Sequence, residues 1–184
     1  MYSNVTYKDS DAILDKLLEF DYHCIQKQLT GKIVILGGSG ILLFMEAMND
    51  EFRPTRDIDV NILSASDLVG FRNMLISNGI DIVGGVSELP PQEDYIVGEN
   101  LHRIDSDFEA IEVYVPSIEM LACTKLFSKR SKDYDDLTQS NLLNRCDKEK
   151  LIEMVEEYKL YMLNPNDTAI NVHELLHFFE LRGI

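Results

Sequence analysis

The chain has 184 residues, of which 45% are hydrophobic and 27% charged, a composition that is typical of a globular protein and excludes a disordered or fibrous one. Its 32 acidic and 17 basic side chains give a net charge of −15. Because non-specific nucleic-acid binding depends on basic groups, this charge argues against a broad nucleic-acid-binding surface. The three cysteines are widely spaced and no apolar run is long enough to span a membrane, so we expect a cytoplasmic protein with reduced thiols.

The amino-terminal part of the chain alternates predicted helices with predicted strands. Apolar residues at helical spacing predict helices at 11–29, capped by Ser10, at Ile41–Met48 and at Ser66–Asn78. Apolar or alternating runs predict strands at Lys32–Leu36, Asp57–Leu63, Leu101–Asp105 and Phe108–Val115, the last two forming a hairpin.

From Pro116 onward the pattern is helical. The predicted helices are Ser117–Lys129, Tyr134–Asn144, Lys148–Leu163 and Asn171–Leu181. The sequence therefore predicts an α+β fold, in which a small mixed sheet flanked by helices forms a core over residues 1–115. A C-terminal helical region over residues 116–184 is expected to pack on that core.

The charges are distributed unevenly along the chain. Residues 81–119 contain ten acidic side chains and one basic side chain, Arg103. Residues 120–132 contain no acid and four bases, which are Lys125, Lys129, Arg130 and Lys132. A solvated helix face is the ordinary explanation of such a run. The alternative is a binding site for an anion.

A glycine-rich turn, Gly37-Gly38-Ser39-Gly40, joins the first predicted strand to the next helix. Backbone N–H groups and a hydroxyl at a helix N-terminus can hold phosphate oxygens. The turn lacks the lysine of a P-loop, and Leu43 stands where a dinucleotide-binding fingerprint requires its third glycine. A plain tight turn is the alternative interpretation.

Two aspartates, Asp57 and Asp59, stand at the start of the second predicted strand. Alternation places both carboxylates on one face, roughly 7 Å apart along the strand. Divalent ions shared by such a pair can bridge the phosphates of a nucleotide and an attacking hydroxyl, which suits nucleotidyl transfer. The alternative is a solvent-facing pair, although aspartate is uncommon in strands.

In their order along the chain, these motifs resemble the DNA polymerase β-like nucleotidyltransferase superfamily. Within it, the sequence is similar to small bacterial nucleotidyltransferases of the AbiEii/MenT toxin type. The shared motifs are ILGGSG, then RPTRDIDV beginning at Arg53, then a lysine-led segment, Lys125–Asp133, followed by Asp136-Leu137. The resemblance covers roughly residues 32–137.

The resemblance implies a role for each of these groups. Those assigned to the phosphates of a nucleotide are Gly37, Gly38, Ser39, Lys125, Arg130 and Lys132. Those assigned to Mg²⁺ or Mn²⁺ are Asp57 and Asp59, with Asp105 chosen as the third carboxylate, which completes the metal site or takes the acceptor's proton. Asp107 and Glu112 are rivals for that third position. The residues expected to support the site are Arg56, Asp133 and Asp136.

The implied reaction moves a nucleoside monophosphate from an NTP to an acceptor hydroxyl, on the 3′ end of a tRNA or on a protein, and releases pyrophosphate. The resemblance also implies the toxin of a toxin–antitoxin pair, and hence an antitoxin partner. The alternative from another class is a binding protein that keeps the nucleotidyltransferase fold and has lost the reaction.

A competing motif lies near the end of the chain, where His173-Glu174-Leu175-Leu176-His177 matches HExxH, a zinc-hydrolase signature. Only seven residues follow His177, and the extended HxxGxxH form is absent. We therefore expect a C-terminal helix that packs through its apolar residues, with both histidines on its more solvent-exposed side. A zinc hydrolase is the remote alternative.

Overall fold

The computed structural model describes residues 5–84 and 88–184, and the strands within them form one five-stranded mixed sheet. The strands are β1 (Gly31–Leu36), β2 (Asp59–Ala65), β3 (Asp81–Ile82), β4 (Leu101–Arg103) and β5 (Ile111–Pro116), in the spatial order β3-β2-β1-β5-β4. β1 is antiparallel to β2 and parallel to β5, β2 is parallel to β3, and β4 and β5 form the predicted hairpin. The α+β fold class is thereby confirmed.

Helices cover the sheet and make up most of the C-terminal part. They are α1 (Ser10–Gln26), α2 (Gly37–Ala47), α3 (Leu68–Ser77), α4 (Gln92–Tyr95), α5 (Ile118–Leu126), α6 (Ser131–Gln139), α7 (Leu142–Arg145), α8 (Lys148–Lys159) and α9 (Leu175–Arg182). Two 3₁₀ helices lie at Gly98–Asn100 and Asn171–Glu174. Within the described ranges, no helix has the length and apolar character needed to cross a membrane.

Local hydrogen bonds explain two errors in the predicted helices, the cap of the first and the length of another. Asp9, not Ser10, caps α1, because the Asp9 carboxylate accepts a hydrogen bond from the Ala12 N–H at 2.9 Å. The helix predicted at 134–144 is interrupted at Ser140, whose hydroxyl donates to the Asp136 carbonyl and accepts from the Leu142 N–H. A side chain that bonds the backbone in this way competes with continued helix and separates α6 from α7.

Helix α5 lies at the centre of the buried core. It packs against α2 on one side and against α6 and α8 on the other, and it begins at the cap Ser117, whose hydroxyl accepts from the Met120 N–H. One cluster of buried apolar side chains runs through both parts of the chain. The division at residues 115 and 116 stays a prediction.

A buried carboxylate fixes the start of β5. The Asp21 side chain of α1 is 3% exposed and accepts the N–H groups of Glu109, Ala110 and Ile111 at 3.0, 2.9 and 2.9 Å. The Ile111 N–H would otherwise be buried without a partner, and the other two donors lie at the partly buried approach to the strand. Asp21 therefore holds β5 in register with β1, whose other end leads into the candidate site.

Candidate functional site

The glycine-rich segment is the first turn of α2, and not the separate turn that the sequence predicted. Gly37 has φ +59°, which lets the chain pass directly from β1 into the helix. A Cβ at this position would lie 2.7 Å from Oδ2 of Asp59. The Asp59 carboxylate therefore rests on the bare backbone of Gly37.

Ser39 and Gly38 make their contacts within the protein. The Ser39 side chain is fully buried, and its hydroxyl donates to the Leu36 carbonyl at 3.0 Å and accepts the Asp59 N–H at 3.4 Å. Ser39 thus joins the end of β1 to the start of β2. A Cβ on Gly38 would come within 3.3 Å of the Thr55 hydroxyl and 3.4 Å of the Arg53 guanidinium, so this glycine lets the segment before Asp57 pack on α2.

The two aspartates are close together, but only Asp59 belongs to the strand that was predicted to contain both. β2 begins at Asp59, so Asp57 precedes the strand and is exposed. Its segment is held by a two-way backbone bridge between Tyr7 and Thr55, and the Thr55 hydroxyl donates to the Asp57 carbonyl at 3.2 Å. Burial and the nearby carboxylates of Asp57 and Asp81 raise the pKa of Asp59 to about 6.

The structure does not bring Asp105, the expected third carboxylate, to this pair. Asp59 pairs with Leu36 at the last position of β1, whereas Glu112 pairs with Lys32 near its first. Four residues of strand separate these positions by about 13 Å. Asp105 and Asp107 lie in the β4–β5 loop at the Glu112 end, and Glu112 itself is in an ion pair with Lys32 at 3.0 Å.

The carboxylate that does lie beside Asp59 is Asp81, its register partner on the parallel strand β3. Neighbouring strands are about 4.8 Å apart, and register partners in a parallel pair point to the same face. Sequence reasoning missed Asp81 because β3 has only two residues and carries no alternating pattern. The pairing of β3 with β2 is the signal that identifies it.

The Lys125 ammonium group is enclosed by carboxylates. It is 3% exposed and lies 2.6 Å from Asp133 and 3.1 Å from Asp136, which are 0% and 2% exposed. Two arginines complete the group: Arg53 binds Asp136 through two nitrogens at 2.5 and 2.6 Å, and Arg130 binds Asp133 at 2.7 Å. Three cations therefore surround two carboxylates, and the cluster keeps one positive charge in excess.

Asp133 and Asp136 are paired with the basic residues Lys125 and Arg130, and the structure adds Arg53 as a partner. Burial alone would raise the pKa of Asp133, but Lys125, Ser128 and Arg130 outweigh it and lower that pKa. Arg53 ties α6 to the loop that carries Asp57, because its guanidinium spans from Asp136 to Gly38. Of the RPTRDIDV motif, Arg56 and not Arg53 was predicted to support the site, although the place of Arg53 at the head of that motif was a signal that could have identified it.

The other predicted cations differ in their surroundings. Arg130 is 73% exposed although its Nε is bonded to Asp133. Lys132 is exposed and has no ion-pair partner in the described part of the chain, and partial burial together with Arg53 and Lys125 lowers its pKa. Arg56, which precedes Asp57 in the sequence, is exposed. Lys129 pairs with Asp167 at 3.2 Å.

A cavity of about 550 Å³ joins the glycine, the aspartate and the basic helix end. Its wall contains Gly37, Asp59, Lys125 and Arg130, which come from α2, β2, α5 and the residue before α6. Four of the predicted site residues thus meet in one cavity although up to 93 positions separate them in the sequence. Its volume is within the range of pockets that bind small ligands.

The residues at the Asp59 end fit a divalent ion. Three carboxylates, those of Asp57, Asp59 and Asp81, lie near one another, and repulsion among them contributes to the raised pKa of Asp59. Within residues 5–84 and 88–184, no three such side chains are close enough to form a complete metal site. Mg²⁺ usually takes one or two carboxylates and completes its shell with substrate phosphates and water, so Asp57 and Asp59 would suffice to hold it.

The HExxH residues do not form the single helix that the sequence predicted. His173 lies in the 3₁₀ helix Asn171–Glu174, and His177 lies in α9, with a change of helix type between them. Both side chains are exposed. The apolar residues Val172, Leu175 and Phe179 are buried, as expected for a segment that packs on the core, whereas Leu176, expected to pack with them, is 74% exposed.

One comparison with known proteins identifies a family. Residues 12–181 match the family described as "Nucleotidyltransferase of unknown function (DUF6036)". No curated protein and no solved structure matches the chain. The match covers nearly the whole sequence and includes every residue of the candidate site. The chain therefore belongs to this family of nucleotidyltransferases.

Proposed function

We propose that this protein is a metal-dependent nucleotidyltransferase that transfers a nucleoside monophosphate from an NTP to an acceptor hydroxyl and releases pyrophosphate. The observation that carries the proposal is the shared cavity in which Gly37, Asp59, Lys125 and Arg130 meet. Backbone, carboxylate and cationic groups in one cavity supply the contacts that a metal-bound triphosphate requires.

Each residue has a part in the proposed reaction. Asp57 and Asp59 hold the metal, which when bound neutralises phosphate charge and orients the reacting groups. Arg130 and Lys132 bind phosphate oxygens, and Lys125 keeps Asp133 and Asp136 in place beneath them. Catalysis of this kind depends mainly on positioning and charge neutralisation.

The covalent step is an in-line displacement at the α-phosphorus. The acceptor oxygen forms a bond to phosphorus while the bond to the β-phosphate breaks, and pyrophosphate leaves. We assign the acceptor's proton to the Asp81 carboxylate, which lies beside Asp59 and has no ion-pair partner in the described part of the chain. This replaces the role that the sequence suggested for Asp105.

The acceptor and the biological role are part of the proposal. Resemblance to AbiEii/MenT-type toxins supports an acceptor on the 3′ end of a tRNA or on a protein, a toxin–antitoxin setting with an antitoxin partner, and a place in the cytoplasm. With a net charge of −15, contact with tRNA would be limited to the region near the transferred group, and binding would weaken with salt.

A second candidate is a nucleotidyltransferase-fold protein that binds nucleotide without reacting. It is favoured by one observation: the carboxylates near Asp59 do not form a complete three-ligand metal site among the described residues. Under this alternative, NTP binds but no pyrophosphate is released.

Labelled NTPs separate the two candidates. The purified chain is incubated with Mg²⁺, each α-³²P-labelled NTP, and total tRNA or total protein, and both labelled product and pyrophosphate are measured. We expect label transfer that EDTA abolishes and that falls at least about 100-fold in Asp59→Ala. Asp105→Ala is the matched control and retains activity. Absence of product and pyrophosphate with every NTP, in the presence of nucleotide binding, would establish the binding protein instead.

A further inference from the structure

The wall of the cavity combines two kinds of lining. Gly37, Asp59, Lys125 and Arg130 make up its polar and cationic part. Its apolar and aromatic part, here called the apolar end, consists of Leu89, Tyr95, Phe127, Met162, Leu163 and Ile170. A cavity with a polar and an apolar part matches a ligand with the same division, such as a nucleoside triphosphate.

Phe127 forms a fixed aromatic wall at the apolar end. Its ring packs edge-on against Tyr158, with 6.1 Å between ring centroids and 85° between planes. The Tyr158 hydroxyl donates to Asp94 at 2.8 Å, which in turn fixes Tyr158. Because Phe127 lines the cavity while Tyr158 supports it from another side, its orientation is set before a ligand enters.

The backbone on both sides of Phe127 is also held. The Asn171 side-chain amide donates to the Lys125 carbonyl at 3.1 Å, and the Asn171 N–H donates to the Ser128 carbonyl at 2.9 Å. Lys125 and Phe127 are two residues apart, so the cationic cluster and the aromatic wall are anchored as one piece. A triphosphate held at the first would place its nucleoside against the second.

Polar side chains that neighbour the apolar residues in sequence indicate which base fits. Glu88 and Asn164 also line the cavity and are adjacent to Leu89 and Leu163, whereas the Tyr95 hydroxyl is already used in a bond to the Pro90 carbonyl at 3.1 Å. An ionised carboxylate only accepts hydrogen bonds, while an amide both donates and accepts. Glu88 would therefore favour a base with an N–H₂ group, and it would repel phosphates toward Lys125 and Arg130.

We propose that the apolar end is the base-binding part of the site, where the base stacks on Phe127 and presents an exocyclic amino group to Glu88. This inference rests on the proposed function, since it assumes that the substrate is an NTP. It fixes the orientation of the substrate, with the phosphates toward Gly37 and the base toward Glu88. It also favours ATP, GTP or CTP, which carry an exocyclic amino group, over UTP, whose base donates only through its ring N3–H.

Equilibrium binding tests the stacking part without requiring turnover. Isothermal titration with Mg²⁺ and α,β-methylene analogues of the four NTPs measures affinity, and inorganic tripolyphosphate measures the phosphate contacts alone. Because base–aromatic stacking is worth about 1–3 kcal/mol, Phe127→Ala should weaken nucleotide binding by about 5- to 140-fold. Tripolyphosphate binding should stay within about twofold.

Two further variants guard against a general loss of structure. Phe127→Leu keeps an apolar side chain of similar size, and we expect it to weaken binding of the nucleotide analogue and not of tripolyphosphate. Tyr161→Ala is the matched control, because Tyr161 is 65% exposed, lies near the cavity wall in sequence and does not line it. It should leave both affinities unchanged.

Base selection tests the role of Glu88. The CTP and UTP analogues differ at position 4, where cytosine has an amino group and uracil a carbonyl, and at N3, which accepts in cytosine and donates in uracil. With the amino group presented to Glu88, the wild-type chain should bind the CTP analogue at least about tenfold more tightly. Glu88→Gln, which can also donate, should reduce that ratio to about threefold or less. Equal affinity of the wild-type chain for both analogues would overturn the assignment of Glu88.

The outcomes distinguish this inference from the proposed function. If no analogue binds the wild-type chain, the proposed function fails and takes the inference with it. If the analogues bind and both Phe127 variants match the wild type, the base lies elsewhere and only the inference fails. Loss of tripolyphosphate binding in Phe127→Leu would also overturn it, since Phe127 would then support the phosphate end.

Discussion

Substitution of Gly37 by alanine adds a methyl group that has two effects, backbone strain and a clash with Asp59. The backbone here has φ +59°, where an alanine costs about 1–2 kcal/mol. The new Cβ would also lie 2.7 Å from the Asp59 carboxylate, 0.7 Å short of the 3.4 Å at which ordinary contacts begin. Asp59 must therefore move by a distance that is large for a reacting geometry, and we expect activity to fall about 100-fold.

Gly79 provides the matched control. It has a similar backbone conformation, with φ +72°, but a Cβ there would meet nothing within 4 Å. Gly79→Ala should lose the same stability, which for a chain of this size is a fall in Tm of about 2–8 °C, and should retain full activity. Thermal unfolding, pyrophosphate release and Mg²⁺-dependent nucleotide binding measure the two effects. Equal activity and nucleotide affinity in the two variants would refute the reasoning.

Three further substitutions test the contacts that hold the site. Arg53→Lys keeps the charge but loses the two-bond contact with Asp136, so we expect the free energy of unfolding in urea to fall by about 1–2 kcal/mol. Lys125→Met removes the buried ammonium group between Asp133 and Asp136, which keep only Arg130 and Arg53, and should cost about 1.5–3 kcal/mol at pH 7. The ion pairs of Asp133 lower its pKa below the value of 3.8 expected in the unfolded chain, so they stabilise the folded chain above that pH and are lost as the carboxylate is protonated. The cost of Lys125→Met should therefore shrink as the pH falls below 3.8. Asp21→Ala removes the acceptor of three backbone N–H groups and should cost at least about 3 kcal/mol.

A defined result would contradict each of the predictions for Lys125 and Asp21. A Lys125→Met variant as stable as the wild type at pH 7 would mean that the carboxylates are neutral or hydrated in solution. Asp15→Ala is the control for Asp21→Ala, since Asp15 lies exposed on the same helix and its loss should change stability by less than about 0.5 kcal/mol. Similar losses in both would assign the effect to helix α1 as a whole.

Most elements of the fold could be predicted from local patterns. Strand β1 is a short, largely β-branched run between glycines. Helix α8 follows its predicted cap Asp147, although it ends at Lys159 and not at the predicted Leu163, so propensity, capping and periodicity largely agree. The errors fall where side chains bond the backbone, as at Ser140, or where a glycine enters a helix directly, as at Gly37. These depend on particular hydrogen bonds and on positive φ, which periodicity does not report.

Part of the candidate site was also predictable from local sequence patterns. Gly37, Asp59, Lys125 and Arg130 belong to motifs with fixed order, and the structure places them on one cavity. Asp105 was chosen because it closes a predicted strand in an acidic stretch, yet strand register sends it to the far end of the sheet. Asp81 reaches Asp59 only because β3 pairs with β2, a contact between residues 22 positions apart.

By itself, the sequence determined the fold class, the order of the motifs and the residue types that a phosphate-handling site needs, because these follow from local spacing and chemistry. Only the tertiary structure decided which charges meet. It turned Lys125 toward Asp133 and Asp136, brought Arg53 to the same cluster, and separated Asp105 from Asp59. Strand pairing and helix packing set these contacts, and both join residues that are distant along the chain.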